Sequence, residues 1–396
     1  MADRTPIKLL RNARVYAPAS LGVRDVLVIG EQISAIEHRL PSLPTSLPHE
    51  VVDLAGQSLV PGLVDAHVHL TGGGGESGPG SRVPPLALSQ LTRAGVTTCV
   101  GVLGTDGTTR TMRDLVASTL GIRAHGLSAY CYTGSYQYPV PTLTGSIRDD
   151  IVFVDPIIGV GELALSDHRS SQLTLDELLR VASDAYTAGL MSNKAGLVHL
   201  HMGDGPRQFA LIEEALEVAE LPARVYHPTH VNRHKSLFSA AVELAQRGVT
   251  VDVTAFPEAD GGFLAVEAID RWLKSDQPVE RLTCSSDGGG CMPTFDDDGE
   301  LLRMGVGLSD VLGDTIQALL ALGYPLEKFL PIFTRNVARV LRLPTKGRLG
   351  PGLDADLVTL TPEGRIRSVM SRGQWLVQDG DVIRHGPFED QRKATL

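Results

Sequence analysis

The sequence predicts an α/β fold, a (β/α)8 TIM-like barrel over residues 62–345. A small β-sandwich domain built from both chain ends, residues 1–61 and 346–396, flanks it. Three observations predict this. Eight strand-like apolar runs alternate with helical patterns over roughly 280 residues, the size of such a barrel. Short strands punctuated by Gly and Pro occupy both ends. Side chains able to bind a metal stand at or just after the ends of runs one, five, six and eight, so the barrel would gather them at one mouth.

From the N-terminus, residues 7–10, 25–29 and 33–36 read as strands, and the Pro- and Ser-rich stretch 41–48 as an exposed loop. The barrel runs follow at 62–66, 96–103, 127–132, 157–160, 196–200, 223–226, 249–253 and 281–284. Apolar residues at helical spacing fall between them, as in 175–182 and 236–245. Strand texture returns at 354–360, 366–370 and 374–378.

The 396 residues, 42% hydrophobic, can bury a large core. Asp and Glu (46) exceed Lys and Arg (36), giving a net charge of -10, and no basic run with interleaved aromatics occurs. That balance argues against a nucleic-acid partner. No apolar segment is long enough to span a bilayer, and residues 1–8 lack the apolar stretch of a signal peptide, so a cytoplasmic protein without membrane contact is expected. Cys99, Cys131, Cys284 and Cys291 have no motif spacing; three lie in or near apolar strand patterns, and no disulfide framework is indicated.

His67 and His69 close the first run. Side chains two apart on a strand share a face, so both imidazoles are offered to one point. His201, His230 and Asp287 stand at or after later runs, and imidazole with carboxylate is the ligand set of hydrolytic zinc. Glu162 lies among apolar residues of run four. Burying it unpaired would be costly, so it should meet a cation, and its two oxygens could bridge metals roughly 3.5 to 4 Å apart. His199 forms another His-x-His with His201 one pleat deeper, which suits a core or orienting role; His168 and His227 are read as orienting hydrogen-bond partners. Residues 73–78 satisfy G-x-G-x-x-G, but Glu76 would repel a phosphate there, so the glycines better suit a lid or a backbone wall near substrate.

Pro61-Gly-Leu-Val-Asp-Ala-His-Val-His69, Pro228-Thr-His-Val-Asn-Arg233 and Ser285-Ser-Asp-Gly288 resemble the amidohydrolase superfamily. Within it, the blocks beginning at Leu70, Leu103, Thr133, Ser166 and His201 resemble isoaspartyl dipeptidases, and the matches run through nearly the whole chain. The resemblance implies two zinc ions per subunit, His67 and His69 on one, His201 and His230 on the other, with Asp287 beside a bridging hydroxide as general base and acid. It further implies Glu76 for the ammonium of a β-aspartyl residue, Arg169 and Arg233 for substrate carboxylates, Tyr136 for the developing oxyanion, and Thr105 with the backbone of Gly73, Gly74 and Gly75 lining the pocket. The substrate would be a small β-aspartyl dipeptide and the enzyme a homo-oligomer.

Two departures stand out. Glu162 occupies the place where the family has a carboxylated lysine, longer by about three atoms, and the spacing to Ser166 suggests a small insertion just before it. Without a closer backbone the site would hold one metal. Cys291 stands where a serine is expected, which bears on substrate preference and adds a soft potential ligand. Alternatives are another amidohydrolase chemistry, either cyclic amide opening of the hydantoinase or dihydroorotase kind or N-acyl amino acid hydrolysis, and a non-catalytic barrel scaffold.

Overall fold

The computed structural model describes residues 6–259, 261–295 and 301–389. Residues 1–5 and 390–396 of the expected terminal segments, and with them most of the stretch read for a signal peptide, lie outside the described residues.

Eight barrel strands are formed: β1 (Leu63–Val68), β2 (Val96–Gly101), β3 (Ser128–Thr133), β4 (Ile157–Leu165), β5 (Val198–Met202), β6 (Tyr226–Thr229), β7 (Val251–Thr254) and β8 (Leu282–Ser285). β1 to β6 make one parallel sheet in chain order, and β7 pairs in parallel with β8. Backbone bonds span the two gaps. The Val231 N–H donates to the Asp252 carbonyl past the end of β6, and the His69 N–H donates to the Gly288 carbonyl at 2.8 Å past β1 and β8. Strands covered on both faces carry no polar alternation, which is why every residue of β1, β2 and β4 is buried.

Helices supply the outer cover. The longest, Leu175–Ser192, starts at Thr174, whose hydroxyl accepts from the Glu177 N–H while the Glu177 carboxylate accepts from the Thr174 N–H. This reciprocal cap satisfies two donors that have no partner within the helix. Leu178, Val181, Ala182 and Ala185 form its buried stripe.

Both chain ends enter one nine-stranded sheet. Ser58–Pro61 is the joint, parallel to Ile7–Tyr16 on one side and antiparallel to Leu357–Leu360 on the other. Leu10, Val28, Ile33, Leu59, Leu357 and Met370 belong to a core cluster of its own. Two details differ from expectation. The sixth run folds as a 3-10 turn, Ala223–Val225, before β6, so the strand starts at Tyr226 and delivers His230 just past its end. An antiparallel hairpin, Cys291–Phe295 with Leu301–Val306, follows β8 and was not legible in the apolar pattern.

Lys346 fastens this sheet to the barrel. Its ammonium, 4% exposed, lies 2.6 Å from Asp356, 2.8 Å from Asp354 and 2.6 Å from the Ser128 hydroxyl at the start of β3. Replacing Lys346 with Met leaves Asp356 buried without its counter-charge. A loss of about 3–5 kcal/mol is expected, read as a lower urea midpoint at unchanged slope.

Candidate metal centre and substrate pocket

The mouth of the barrel gathers His67 from β1, His69 just beyond it, Glu162 from β4, His201 from β5, His230 after β6 and Asp287 after β8. His230 (φ 62°) and Asp287 (φ 54°) both take left-handed backbone conformations. For residues other than Gly this costs on the order of 1–3 kcal/mol each and persists where surrounding structure enforces it, as at functional sites.

Glu162 reaches the centre through a bulge. Val198 pairs with Val160 and Leu200 with Leu163, so Gly161 and Glu162 together oppose His199 alone. An extra residue in a strand bends it locally and re-aims a side chain. The carboxylate divides between two pairs of imidazoles. Oε1 is 3.3 Å from His67 Nε2 and 3.5 Å from His69 Nε2; Oε2 is 3.3 Å from His201 Nδ1 and 3.7 Å from His230 Nε2. Asp287 Oδ1 lies 3.0 Å from His69 Nε2 and 3.4 Å from His67 Nε2.

This cluster is unsatisfied without a cation. Both Glu162 oxygens and Asp287 Oδ1 are buried with no hydrogen-bond partner, and the Nε2 atoms of His67 and His69 stand only 3.4 Å apart. Burial alone would lower the His67 pKa, but Glu162 and Asp287 outweigh it and push it up to about 9. Burial would raise both carboxylates, yet the imidazoles hold Glu162 well below its ordinary range and Asp287 at about 2. Desolvation lowers His230 to about 3. Such a donor set fits metal ions. His67, Glu162 and His230 converge within reach of one ion, as do His67, His69 and Asp287. His201 enters neither trio. Its Nδ1 is 2.7 Å from the Tyr136 hydroxyl and its Nε2 is 3.0 Å from Asp167 Oδ2.

A cavity of about 1220 Å³ opens over the centre. Glu76 Oε1 accepts from the Thr105 hydroxyl at 3.0 Å and lies 3.5 Å from Arg169 Nη1, while Oε2 is buried without a partner. Arg169 forks onto Asp167 through Nε (3.0 Å) and Nη2 (2.8 Å). Arg233 lies 3.4 Å from Asp204 through Nη1, and its Nε is buried without a partner. Burial raises the Tyr136 phenol well above its ordinary value, so it keeps its proton. Burial likewise pushes the Cys291 thiol to about 12, and Cys291 lines the cavity outside both metal-capable trios. Gly74 also lines the cavity.

Other parts of the site were not legible beforehand. Asp167 joins His201 to Arg169; it lies in the Ser166–Arg169 block, where a carboxylate two residues before the arginine was the available signal. Arg110, 1% exposed, donates to the carbonyls of Thr71, Gly73, Gly74 and Val83. These bonds make the glycine stretch a pinned wall. Gly72 (φ 74°) has no room for a Cβ, which would lie 2.0 Å from the Val83 carbonyl oxygen. Gly78 leads only into a three-residue 3-10 turn, Pro79–Ser81, so the G-x-G-x-x-G stretch opens no α-helix. His199 and His227 are buried beneath the centre, whereas His168, read as an orienting partner, is about half exposed at the mouth with Nδ1 3.8 Å from Asp167.

With this barrel and this cluster, the chain belongs to the amidohydrolase family, whose model matches residues 58–376. Within the family its resemblance to isoaspartyl dipeptidases holds. It is 41% identical to a β-aspartyl dipeptidase of Fervidobacterium islandicum AW-1, solved in complex with a β-Asp-Leu dipeptide, across 95% of this chain and 98% of that one, with a TM-score of 0.90. A dihydropyrimidinase of Brevibacillus agri NCHU1002 shares the fold at 18% identity, TM-score 0.66, over 96% and 97% of the two chains. A dihydroorotase of Elusimicrobium minutum (strain Pei191) is 22% identical over 387 residues, 88% of this chain and 87% of that protein. Among the described residues no helix is long and apolar enough to cross a membrane.

Glu162→Gln keeps the shape but removes the charge facing four imidazoles. The variant is expected to retain less metal through purification than the unaltered chain, measured by elemental analysis.

Proposed function

We propose that the protein is a zinc-dependent β-aspartyl dipeptidase. The observation that carries this reading is the charge pattern beside the centre: one unpartnered carboxylate oxygen, on Glu76, with the guanidinium groups of Arg169 and Arg233 around the same cavity. A β-aspartyl dipeptide brings one ammonium and two free carboxylates. Cyclic amides offer no such triad. The 41% identity to a β-aspartyl dipeptidase supports the same choice.

Two zinc ions held by His67, His69, Glu162, His201, His230 and Asp287 would supply an acidified water and a polarised scissile carbonyl. Glu76 receives the substrate ammonium, and Arg169 and Arg233 receive its carboxylates, placing the β-amide over the centre. Asp287, ionised at neutral pH, takes a proton at Oδ1 from the attacking water and returns it to the leaving amine, which is otherwise too basic to depart. Tyr136 keeps its proton and donates a hydrogen bond to the oxygen that gains charge. Thr105 steadies Glu76, Gly74 and Cys291 line the pocket, and the backbone of Gly75, next to Gly74, is taken as part of the same wall. We take residues 1–61 with 346–396 as an accessory domain and 62–345 as the catalytic barrel. Self-association is expected from the family resemblance, and a cytoplasmic location from the sequence reading.

β-Asp-Leu is the substrate to test, with hydantoin, dihydroorotate and N-acyl amino acids as comparisons. Selective cleavage of the dipeptide, lost on chelation and restored by zinc, supports the proposal; turnover of a cyclic amide instead would overturn it. Asp287→Asn is expected to lower kcat by about 10²–10⁴-fold while metal is retained, and Arg233→Ala to act mainly on KM. Because the Tyr136 pKa is raised above 10, no basic limb from this group should appear in kcat below that pH, and Tyr136→Phe should lower kcat across the whole profile.

A further inference from the structure

Beneath the centre, the barrel interior holds a row of buried polar side chains that the proposed reaction does not use. His67 Nδ1 lies 2.9 Å from His199 Nε2, and His199 Nδ1 lies 3.0 Å from His227 Nδ1. His227 Nε2 is 3.1 Å from the Thr283 hydroxyl, which donates to Asp252 Oδ1 at 2.6 Å. Asp252 Oδ2 accepts two further hydroxyls, Thr229 at 2.8 Å and Ser285 at 2.5 Å. Every member is fully buried. Strand register sets the row: His199 pairs with His227 across β5 and β6, and Asp252 with Thr283 across β7 and β8.

Each ring-to-ring contact needs one proton and has room for only one. A row of uncharged imidazoles therefore has two arrangements, with all protons pointing one way or all the other. Asp252 decides between them. Thr283 gives its proton to Asp252, and its other neighbour, the Val251 carbonyl at 3.3 Å, is also an acceptor. The Thr283 oxygen is left to accept from His227 Nε2–H. His227 Nδ1 then accepts from His199 Nδ1–H, and His199 Nε2 accepts from His67 Nδ1–H. The lone pair of His67 is thereby placed on Nε2, the atom facing Glu162 and Asp287.

We propose that His199, His227, Thr283 and Asp252 are positioning residues that fix His67 in the tautomer able to bind a metal. This rests on the metal reading of the centre. A hydrogen bond to the far nitrogen of a ligating imidazole orients the ring and selects its tautomer, and losing such a partner typically weakens metal affinity 10–100-fold.

The test is the zinc dissociation constant of the full chain by chelator competition, with Thr283→Val against Thr283→Ser and His227→Leu against His227→Gln. Ser keeps the hydroxyl, and a Gln amide can accept from His199 and donate to Thr283. Thr283→Val and His227→Leu are expected to bind zinc about 10–100-fold more weakly, and their polar counterparts to stay within about threefold of wild type. In the metal-free wild type, ¹⁵N spectra of histidine-labelled protein should show His227 protonated on Nε2 and bare on Nδ1. Unchanged affinity in Thr283→Val, which conserves volume should His227→Leu not fold, overturns the inference while leaving the metal reading intact. A wild type that binds no zinc overturns both.

Discussion

The structure turns on a buried carboxylate aimed between four imidazoles. Glu162 is wholly buried, and none of its oxygens meets a hydrogen-bond donor in good geometry. An ionised carboxylate removed from water without compensation is one of the costliest arrangements a fold can hold. The cluster around it is self-consistent only with positive charge supplied, and the direction of the His67 shift expresses that demand. The left-handed backbone at His230 and Asp287, and the strand bulge at Gly161 and Glu162, are local departures from ideal geometry that converge on this one point. The barrel is the device that makes convergence possible, since eight strand ends face one mouth while their other ends remain packed.

Around that charge the site is built in two directions. Toward solvent, Asp167 accepts both from the Arg169 fork and, on its Oδ2, lies against His201. One carboxylate thus couples a candidate metal ligand to a candidate substrate-binding group, so displacement of either moves the other. The Asp167 pKa is held well below the ordinary range, because His201 and Arg169 outweigh its burial. Arg110 holds the glycine wall next to Glu76. Four carbonyls accept from one guanidinium, and only a planar fork with five donors can satisfy so many at fixed angles.

How much of this the sequence discloses depends on the range of the interaction. His67 and His69 are legible because strand alternation is a local rule, and Glu162 is legible because a lone carboxylate in an apolar run is a local anomaly. The barrel follows from the same periodicity, apart from β6, where Pro222 leads into a 3-10 turn and delays the strand to Tyr226. Arg110 is not legible, because the carbonyls it binds lie 27 to 39 residues away along the chain. The preference of His201 for Tyr136 and Asp167 is hidden for the same reason: its partners lie 65 and 34 residues away. Motif spacing nominates side chains, whereas the side chains that hold them in place come from elsewhere in the chain.

The inward direction follows a different logic from the outward one. Groups facing the cavity can exchange partners with water or substrate, but His199 and His227 have no such freedom, and burial holds both pKa values down. Protons in that row cannot be rearranged one at a time, since reversing a single ring would set two N–H groups or two lone pairs against each other. The row is cooperative, and its sense is anchored at Asp252 by three hydroxyl donors. An apolar interior would leave His67 Nδ1 without this partner and the ring free to present either nitrogen. The polar interior is therefore best understood as a constraint on the orientation and protonation of one ligand, set by strand register several side chains below the mouth.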